Sequence, residues 1–207
     1  MTAPAPSDLH QPHPALADLM SAHGLTPGNA LVLGASAGQD ALWLATSGWT
    51  VTVVDASIAA GQRLRDDASA RGIHSGLRVV QRDLTASIPS ETFDLVYALH
   101  FWTSREEDRA LVLRRAAALM GIGGHLVIID REPIRSPQQA YTAIGLDDEW
   151  EALPLGPHRL PSTPMAGPSR EPEDSITITR RVRETAFSAR AEADIHRRRH
   201  PVGLPLL

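Results

Sequence analysis

The feature that most constrains the fold is a segment in which two apolar runs enclose a glycine turn. The first run, Leu31 to Leu33, contains no polar residue, which is typical of a strand buried on both faces of a parallel sheet. Gly34 to Gly38 predicts a tight turn, and the second run, Val51 to Val54, predicts a β-branched strand that ends at Asp55. A short helix, from Asp40 to Thr46, is predicted between them.

This order of strand, glycine turn, helix, strand and acid indicates a type of ligand. Small residues in the turn let the backbone approach a ligand closely, and the first turn of the helix offers N–H groups to an anion. Asp55, at the end of the second strand, is placed to accept hydrogen bonds from ribose hydroxyls. The segment therefore predicts either a dinucleotide or S-adenosylmethionine (SAM), because both combine a ribose with an anionic group.

The rest of the chain continues the alternation of strands and helices. Further strands are predicted at 77–81, 93–99, 125–130 and 175–182, and helices at 14–23, 58–71 and 105–120, with a turn at 121–124. This pattern favours an α/β fold, a doubly wound, Rossmann-like sheet with right-handed crossovers. Ligands of such sheets lie beyond the carboxyl ends of the strands, where Gly34 to Gly38, Asp55, Asp83 and Leu99-His100 fall.

Composition suggests one main domain with less regular ends. Residues 1–13 are rich in proline and predict a loose N-terminus, residues 14–182 form the predicted ligand-binding domain, and residues 183–207 form an arginine-rich tail. Residues 137–144 have helical character, and the proline-rich segment 153–172 predicts a loop or lid.

Several classes of function are excluded or disfavoured by composition. The chain has no cysteine, which excludes disulfides and thiolate chemistry, and its nine histidines show no convincing metal-ligand spacing. The N-terminus lacks the pattern of a signal peptide and no apolar run is long enough to span a membrane, so we expect a cytoplasmic protein without a membrane partner. A net charge of −4 argues against a dedicated nucleic-acid binder.

The absence of lysine bears on the choice of ligand. Without lysine there is no Schiff-base chemistry and no P-loop. Short-chain dehydrogenases rely on a Tyr-x-x-x-Lys pair, whereas Phe101 follows Tyr97 and Gly145 follows Tyr141 at that spacing. A nicotinamide-dependent oxidoreductase is therefore disfavoured.

Taken together, the motifs resemble those of class I SAM-dependent methyltransferases, and most of all the small single-domain type of the tellurite-resistance and thiopurine methyltransferase group. The similar segments are LVLGASAGQDALWLATSGWTVTVVDAS, RVVQRDL, FDLVYALHFW and GIGGHLVIID. The resemblance covers residues 14–130, with 175–182 as a possible last strand, and implies a seven-stranded sheet with a reversed final strand. It also implies methyl transfer from SAM to a small molecule with an oxygen, nitrogen or sulfur nucleophile.

Three positions depart from the family pattern. Ser36 replaces the middle glycine of the turn, and Ile122 replaces a proline before the double glycine. Val32 stands where the family usually has an acid, which removes an expected polar anchor for the methionine end of SAM. These departures keep open an alternative, a non-catalytic relative that binds SAM or nothing and acts as a regulator.

The resemblance also implies roles for individual residues. His100, directly after the fourth strand, is the candidate catalytic base, although a histidine packed in the pocket wall is an equal interpretation. Asp55 is the expected ribose acceptor, Asp83 a partner of the adenine amino group or a turn cap, and Leu84 an adenine contact. Tyr97 and Trp102 are aromatic residues that line the substrate pocket or belong to the core. The complete predicted cofactor-binding set is Gly34, Ala35, Ser36, Gly38, Asp55, Ala56, Asp83, Leu84 and Leu99.

Overall fold

The computed structural model describes residues 12–87, 89–101, 106–130, 150–153 and 175–182. Within them lie four α-helices, α1 (Pro14–Ala22), α2 (Gly38–Thr46), α3 (Ile58–Ala70) and α4 (Glu106–Ala118). The strands are β1 (Asn29–Leu33), β2 (Thr50–Asp55), β3 (Leu77–Gln81), β4 (Phe93–Leu99), β5 (Met120–Asp130), β6 (Trp150–Ala152) and β7 (Ser175–Arg181). A short 3-10 turn, Ala35–Ala37, joins β1 to α2.

The strands form one seven-stranded sheet in the order β3-β2-β1-β4-β5-β7-β6. Pairing is parallel from β3 to β5, whereas β7 runs antiparallel to both β5 and β6. The predicted doubly wound sheet and its reversed last strand are thus confirmed. Because the chain order changes direction at β1, the carboxyl ends of β1, β2 and β4 enclose a crevice.

Two apolar clusters cover the two faces of the sheet. On one face, alternate strand residues such as Val32 and Tyr97 pack against α1, α2 and α3. On the other face, their neighbours Leu33 and Val96 pack with residues of α4. Burial on both sides explains why the central strands contain uninterrupted apolar runs.

The beginning of β5 differs from the prediction. The helix expected to reach Met120 ends at Ala118, and the turn predicted at 121–124 is part of β5. Phe93 pairs with Met120, while Leu95 pairs with His125, so the extra residues of β5 form an irregularity opposite Asp94. Gly123, with φ of +89°, supplies the backbone conformation that this irregularity needs.

Other predicted features agree with the structure or lie outside the described residues. The helix predicted at 58–71 is α3 (Ile58–Ala70), and the Ser57 hydroxyl caps its N-terminus by accepting a hydrogen bond from the Ala60 N–H. Trp102, the helix at 137–144, residues 154–172 of the loop and the tail 183–207 are outside the described ranges, and the domain boundaries remain a prediction. None of the helices in the described ranges has the length and apolar character to cross a membrane.

Candidate functional site

Most of the predicted site residues gather at one edge of the sheet, at the carboxyl ends of the strands. The sheet order places them in sequence along this edge, with Asp83 after β3, Asp55 and Ala56 after β2, the turn after β1, and Leu99 and His100 after β4. We call the part formed by Asp55 and the turn atoms bonded to it the β2 side. The part formed by Ser36, Asp40, Tyr97, Leu99 and His100 is the β4 side.

On the β2 side, the Asp55 carboxylate is held by two backbone N–H groups. The Ala35 N–H donates to Oδ2 at 2.6 Å, and the Ser57 N–H donates to Oδ1 at 2.6 Å. Each carboxylate oxygen can accept more than one hydrogen bond, so both retain capacity for a ligand. Asp55 is partly buried and Ala56 exposed, so the edge is open to solvent beside this fixed carboxylate.

The two predicted glycines of the turn serve different purposes. Gly34 has φ of +86° and ψ of 142°, a conformation that residues with a Cβ rarely adopt. Gly38 has φ of −59°, and a Cβ added there would lie 3.3 Å from the flexible end of Leu64. Backbone geometry therefore favours glycine strongly at Gly34, whereas at Gly38 a Cβ would need only a small shift of the Leu64 side chain.

Ser36, which replaces the middle glycine of the family turn, connects the turn to β4. Its hydroxyl donates a hydrogen bond of 3.2 Å to the carbonyl oxygen of Leu99. Ser36 is exposed and Leu99 partly buried. The side chain that departs from the pattern thus closes a polar contact across the crevice.

His100 lies directly after β4 in a backbone conformation that is uncommon for histidine. Its φ is +45°, and it is the one non-glycine residue with positive φ among those described. Its backbone N–H donates to the carbonyl oxygen of Ile129 at 2.7 Å, which fixes the residue to the end of β5. Strained residues of this kind occur often at functional sites.

Asp83 forms a turn at the end of β3. Its Oδ1 accepts hydrogen bonds from the Thr85 N–H at 2.8 Å and from the Thr85 hydroxyl at 2.7 Å. These bonds, the hydroxyl's first, hold the pKa of the Asp83 carboxyl below its usual value. Leu84 is buried in the apolar cluster of the α4 face. The structure shows the turn cap, and the contact of Asp83 and Leu84 with adenine remains a prediction.

Two further residues of this edge were not singled out from the sequence. Asp40, in the first turn of α2, is only 2% exposed, and Phe101 is buried beside the turn, where its Cδ2 would be 3.8 Å from a Cβ added to Gly34. Tyr97 is completely buried, and its hydroxyl donates to Asp40 Oδ2 at 2.7 Å, so it belongs to the core and does not line an open pocket. An acid in a first helical turn has a common explanation in the helix dipole, so the sequence contains no distinct signal for Asp40.

The geometry fits the ligand class that the sequence predicted. The crevice combines an oriented carboxylate on the β2 side, a glycine turn leading into a helix N-terminus, and a buried carboxylate on the β4 side. SAM presents complementary groups, namely ribose hydroxyls, an α-carboxylate, and two cations in its ammonium and sulfonium. In the described ranges, no cluster of three or more histidine, aspartate or glutamate residues has the arrangement of a metal site.

Comparison with known proteins decides between the two ligands. The family described as a methyltransferase domain matches residues 31–128. The protein named "Probable thiol methyltransferase 2" from Arabidopsis thaliana is 30% identical over 154 residues, which cover 73% of this chain and 68% of that protein.

Solved structures show the same fold. The N-methyltransferase NodS from Bradyrhizobium japonicum WM9 has a TM-score of 0.60 at 17% identity, and the match covers 82% of this chain and 93% of that chain. Magnesium protoporphyrin IX methyltransferase from Synechocystis PCC 6803, solved with bound SAM, has a TM-score of 0.61 at 17% identity, covering 81% and 76% of the two chains. The chain spans about half the length or less of some other solved methyltransferases, 49% in one case and 44% in another. The chain belongs to the class I SAM-dependent methyltransferases, and SAM is its cofactor.

Proposed function

We propose that this enzyme methylates a small-molecule nucleophile, and that a thiol is the first acceptor class to test. The single observation that carries the methyl-donor half of the proposal is the Asp55 carboxylate, fixed by the N–H groups of Ala35 and Ser57 at the crevice. The acceptor half is supported by the relative of 30% identity, whose name describes thiol methylation.

In this proposal the residues of the β2 side hold the adenosine part of the cofactor. Asp55 accepts hydrogen bonds from the ribose hydroxyls, and its two backbone donors keep the carboxylate in position for them. Gly34 allows the turn to approach the cofactor closely, with Ala35, Ser36, Gly38 and Ala56 forming the surrounding wall. Asp83 and Leu84 flank the adenine at the end of β3.

The chemistry requires a nucleophile in line with a methyl group. Bound SAM supplies an electrophilic methyl group on a positively charged sulfur. The protein orients the acceptor, and His100, near the end of β4, takes the proton of an attacking thiol or hydroxyl at an unprotonated ring nitrogen. A thiol needs the least help from such a base, because its pKa of about 8.5 leaves a fraction ionised at neutral pH.

Calorimetric titration with SAM and with S-adenosylhomocysteine, on the wild-type protein and on Asp55→Ala, tests the first half. We expect saturable binding of both ligands and a loss of about a hundredfold or more in the variant, since two charge-assisted hydrogen bonds are removed. Asp55→Asn is the matched control, because an amide oxygen can still accept one of the two backbone bonds. Unchanged binding by Asp55→Ala would contradict the assigned role of this carboxylate.

Turnover tests the second half. Purified enzyme is incubated with SAM and, in separate reactions, with hydrosulfide, thiophenol, phenol and a secondary amine, and methylated product is measured by mass spectrometry. We expect methylated thiol with an equal amount of S-adenosylhomocysteine. Methylation of the amine or phenol alone would overturn the thiol assignment and leave the small-molecule proposal in place, whereas no turnover of any member would count against both.

A further inference from the structure

Asp40 is a buried carboxylate in a place where burial is costly. It is 2% exposed, its Oδ1 accepts the His13 backbone N–H at 2.6 Å, and its Oδ2 accepts the Tyr97 hydroxyl at 2.7 Å. Both donors are neutral groups, so they satisfy lone pairs without cancelling the charge. An ionised carboxylate in such surroundings costs free energy unless a cation lies nearby.

The register of the sheet relates Asp40 to the acid that Val32 replaces. Val32 of β1 is the direct neighbour of Tyr97 of β4, and both residues belong to the cluster on the α2 face. The Tyr97 hydroxyl reaches the Asp40 carboxylate. An acid at position 32 would lie on the α2 face of the sheet, near its carboxyl edge. Asp40, which belongs to α2, supplies an acid at that same face and edge.

The order of strands indicates which part of SAM meets this charge. Asp83, Asp55 and His100 follow β3, β2 and β4, and β1 lies between β2 and β4. A cofactor whose adenosine lies over β3 and β2 has its amino-acid part over β1 and β4. That part carries the α-ammonium group and the α-carboxylate, and it is joined to the sulfonium.

We propose that Asp40 is a positioning residue whose negative charge stabilises the α-ammonium and sulfonium groups of SAM, in place of the acid absent at position 32. Because Asp40 is almost inaccessible, it acts through its electric field at short range and not through direct contact. The inference rests on the proposed function, in which Asp55 holds the ribose. Burial raises the pKa of Asp40, while the two hydrogen bonds and the nearby His13 and His100 side chains oppose this shift.

The variant Asp40→Asn tests the charge with little change of shape. The amide oxygen can accept the His13 N–H, and the amide NH₂ can donate to the Tyr97 hydroxyl. We expect calorimetric affinity for SAM to fall by roughly tenfold to a hundredfold, the scale of one charge acting over about 6 to 12 Å at an effective dielectric near 20. The melting temperature without ligand is expected to stay equal or rise, because the buried charge has gone. A residue with a merely structural role would lower the melting temperature and leave the affinity nearly unchanged.

The ligand offers a second half of the test. S-adenosylhomocysteine and its analogue without the α-amino group differ in the ammonium, so wild type should prefer the former and Asp40→Asn should lose most of that preference. Equal preference in both proteins, or Asp40→Asn affinity for SAM within twofold of wild type, overturns the inference.

Two further variants separate the charge of Asp40 from its hydrogen bonds and its packing. Tyr97→Phe removes one hydrogen bond and keeps the charge that acts on the cofactor, so this variant should bind SAM within about threefold of wild type. A loss as large as that of Asp40→Asn would assign the effect to packing and overturn the inference. Asp40→Ser is a second charge-removing variant, to be used if Asp40→Asn does not fold. If the wild-type protein binds no SAM, the proposed function itself is overturned. This result is distinct from a failure of the inference about Asp40.

Discussion

The two sides of the crevice are built by different means. On the β2 side, Asp55 is held by Ala35 and Ser57, which are 20 and 2 residues away in the chain. On the β4 side, Asp40 is held by His13 and Tyr97, at separations of 27 and 57, and Ser36 reaches Leu99 at a separation of 63. The β2 side is therefore a local motif, whereas the contacts of the β4 side exist only once the sheet has formed. We infer that the β2 side selects the cofactor, whereas the β4 side supplies the negative charge beside it and the base for methyl transfer.

The largest expected effect concerns chemistry on the β4 side. His100→Asn removes the proposed base but retains a residue that tolerates positive φ. We expect kcat with a phenol to fall by roughly a hundredfold to ten-thousandfold, the range for loss of a general base, and kcat with a thiol to fall less, while calorimetric SAM affinity stays unchanged. An unchanged kcat would show that the β4 side contributes to binding only.

The next effect concerns the backbone of the β2 side. Gly34→Ala forces a Cβ into a conformation with φ of +86°, which costs about 1–3 kcal/mol. We expect SAM affinity to fall by about tenfold or more as the turn shifts to relieve this strain. Gly38→Ala is the matched control, because φ there suits any residue and the nearest atom is a flexible Leu64 methyl group. Equal losses in the two variants would refute the distinction between the glycines.

A smaller effect is expected where the two sides meet. Ser36→Ala removes the hydrogen bond to the Leu99 carbonyl. Because this hydrogen bond is exposed, we expect it to contribute about 1 kcal/mol or less to the stability of the turn. Titration should show SAM affinity two- to fivefold weaker, because the turn is less firmly held, whereas Ser36→Thr keeps the hydroxyl and should resemble wild type. Tighter binding by Ser36→Ala would mean that the hydroxyl competes with the cofactor for the Leu99 carbonyl.

The smallest effect is a pH dependence of stability without ligand. Burial raises the pKa of Asp40, so ionisation disfavours the folded state. Protonated Asp40 contributes its full stability below the pKa of the unfolded state, which is about 4. This contribution is lost as the pH rises through the higher pKa of Asp40 in the folded state. In thermal melts, the melting temperature of Asp40→Asn should therefore rise relative to that of wild type as the pH is raised from acid to neutral. If this difference in melting temperature stayed constant or decreased with rising pH, the result would contradict ionisation of Asp40.

The local character of the β2 side also explains what the sequence could predict. Apolar runs, the glycine turn and Asp55 follow one another at spacings that are readable without knowing the sheet order. Asp40 was missed because its partners, the His13 N–H and the Tyr97 hydroxyl, approach it only through the packing of α1 and the pairing of β1 with β4. The prediction for the start of β5 was wrong for a similar reason, because glycines that usually mark a turn here form an irregularity whose existence depends on the pairing with β4.

The position of β7 between β5 and β6 has a consequence for synthesis on the ribosome. Strands β1 to β4 are complete once Leu99 has emerged, so the β2 side of the crevice can assemble before β5, which fixes His100 on the β4 side. Strand β6 pairs only with β7 among the described strands, and β7 ends at Arg181, so the far edge of the sheet must wait for the chain to reach that residue. Pairings that join distant parts of a chain form slowly and leave strand edges open meanwhile. We therefore expect vectorial folding, in which a nascent chain gains its nucleoside pocket first and closes the exposed edge of β5 last.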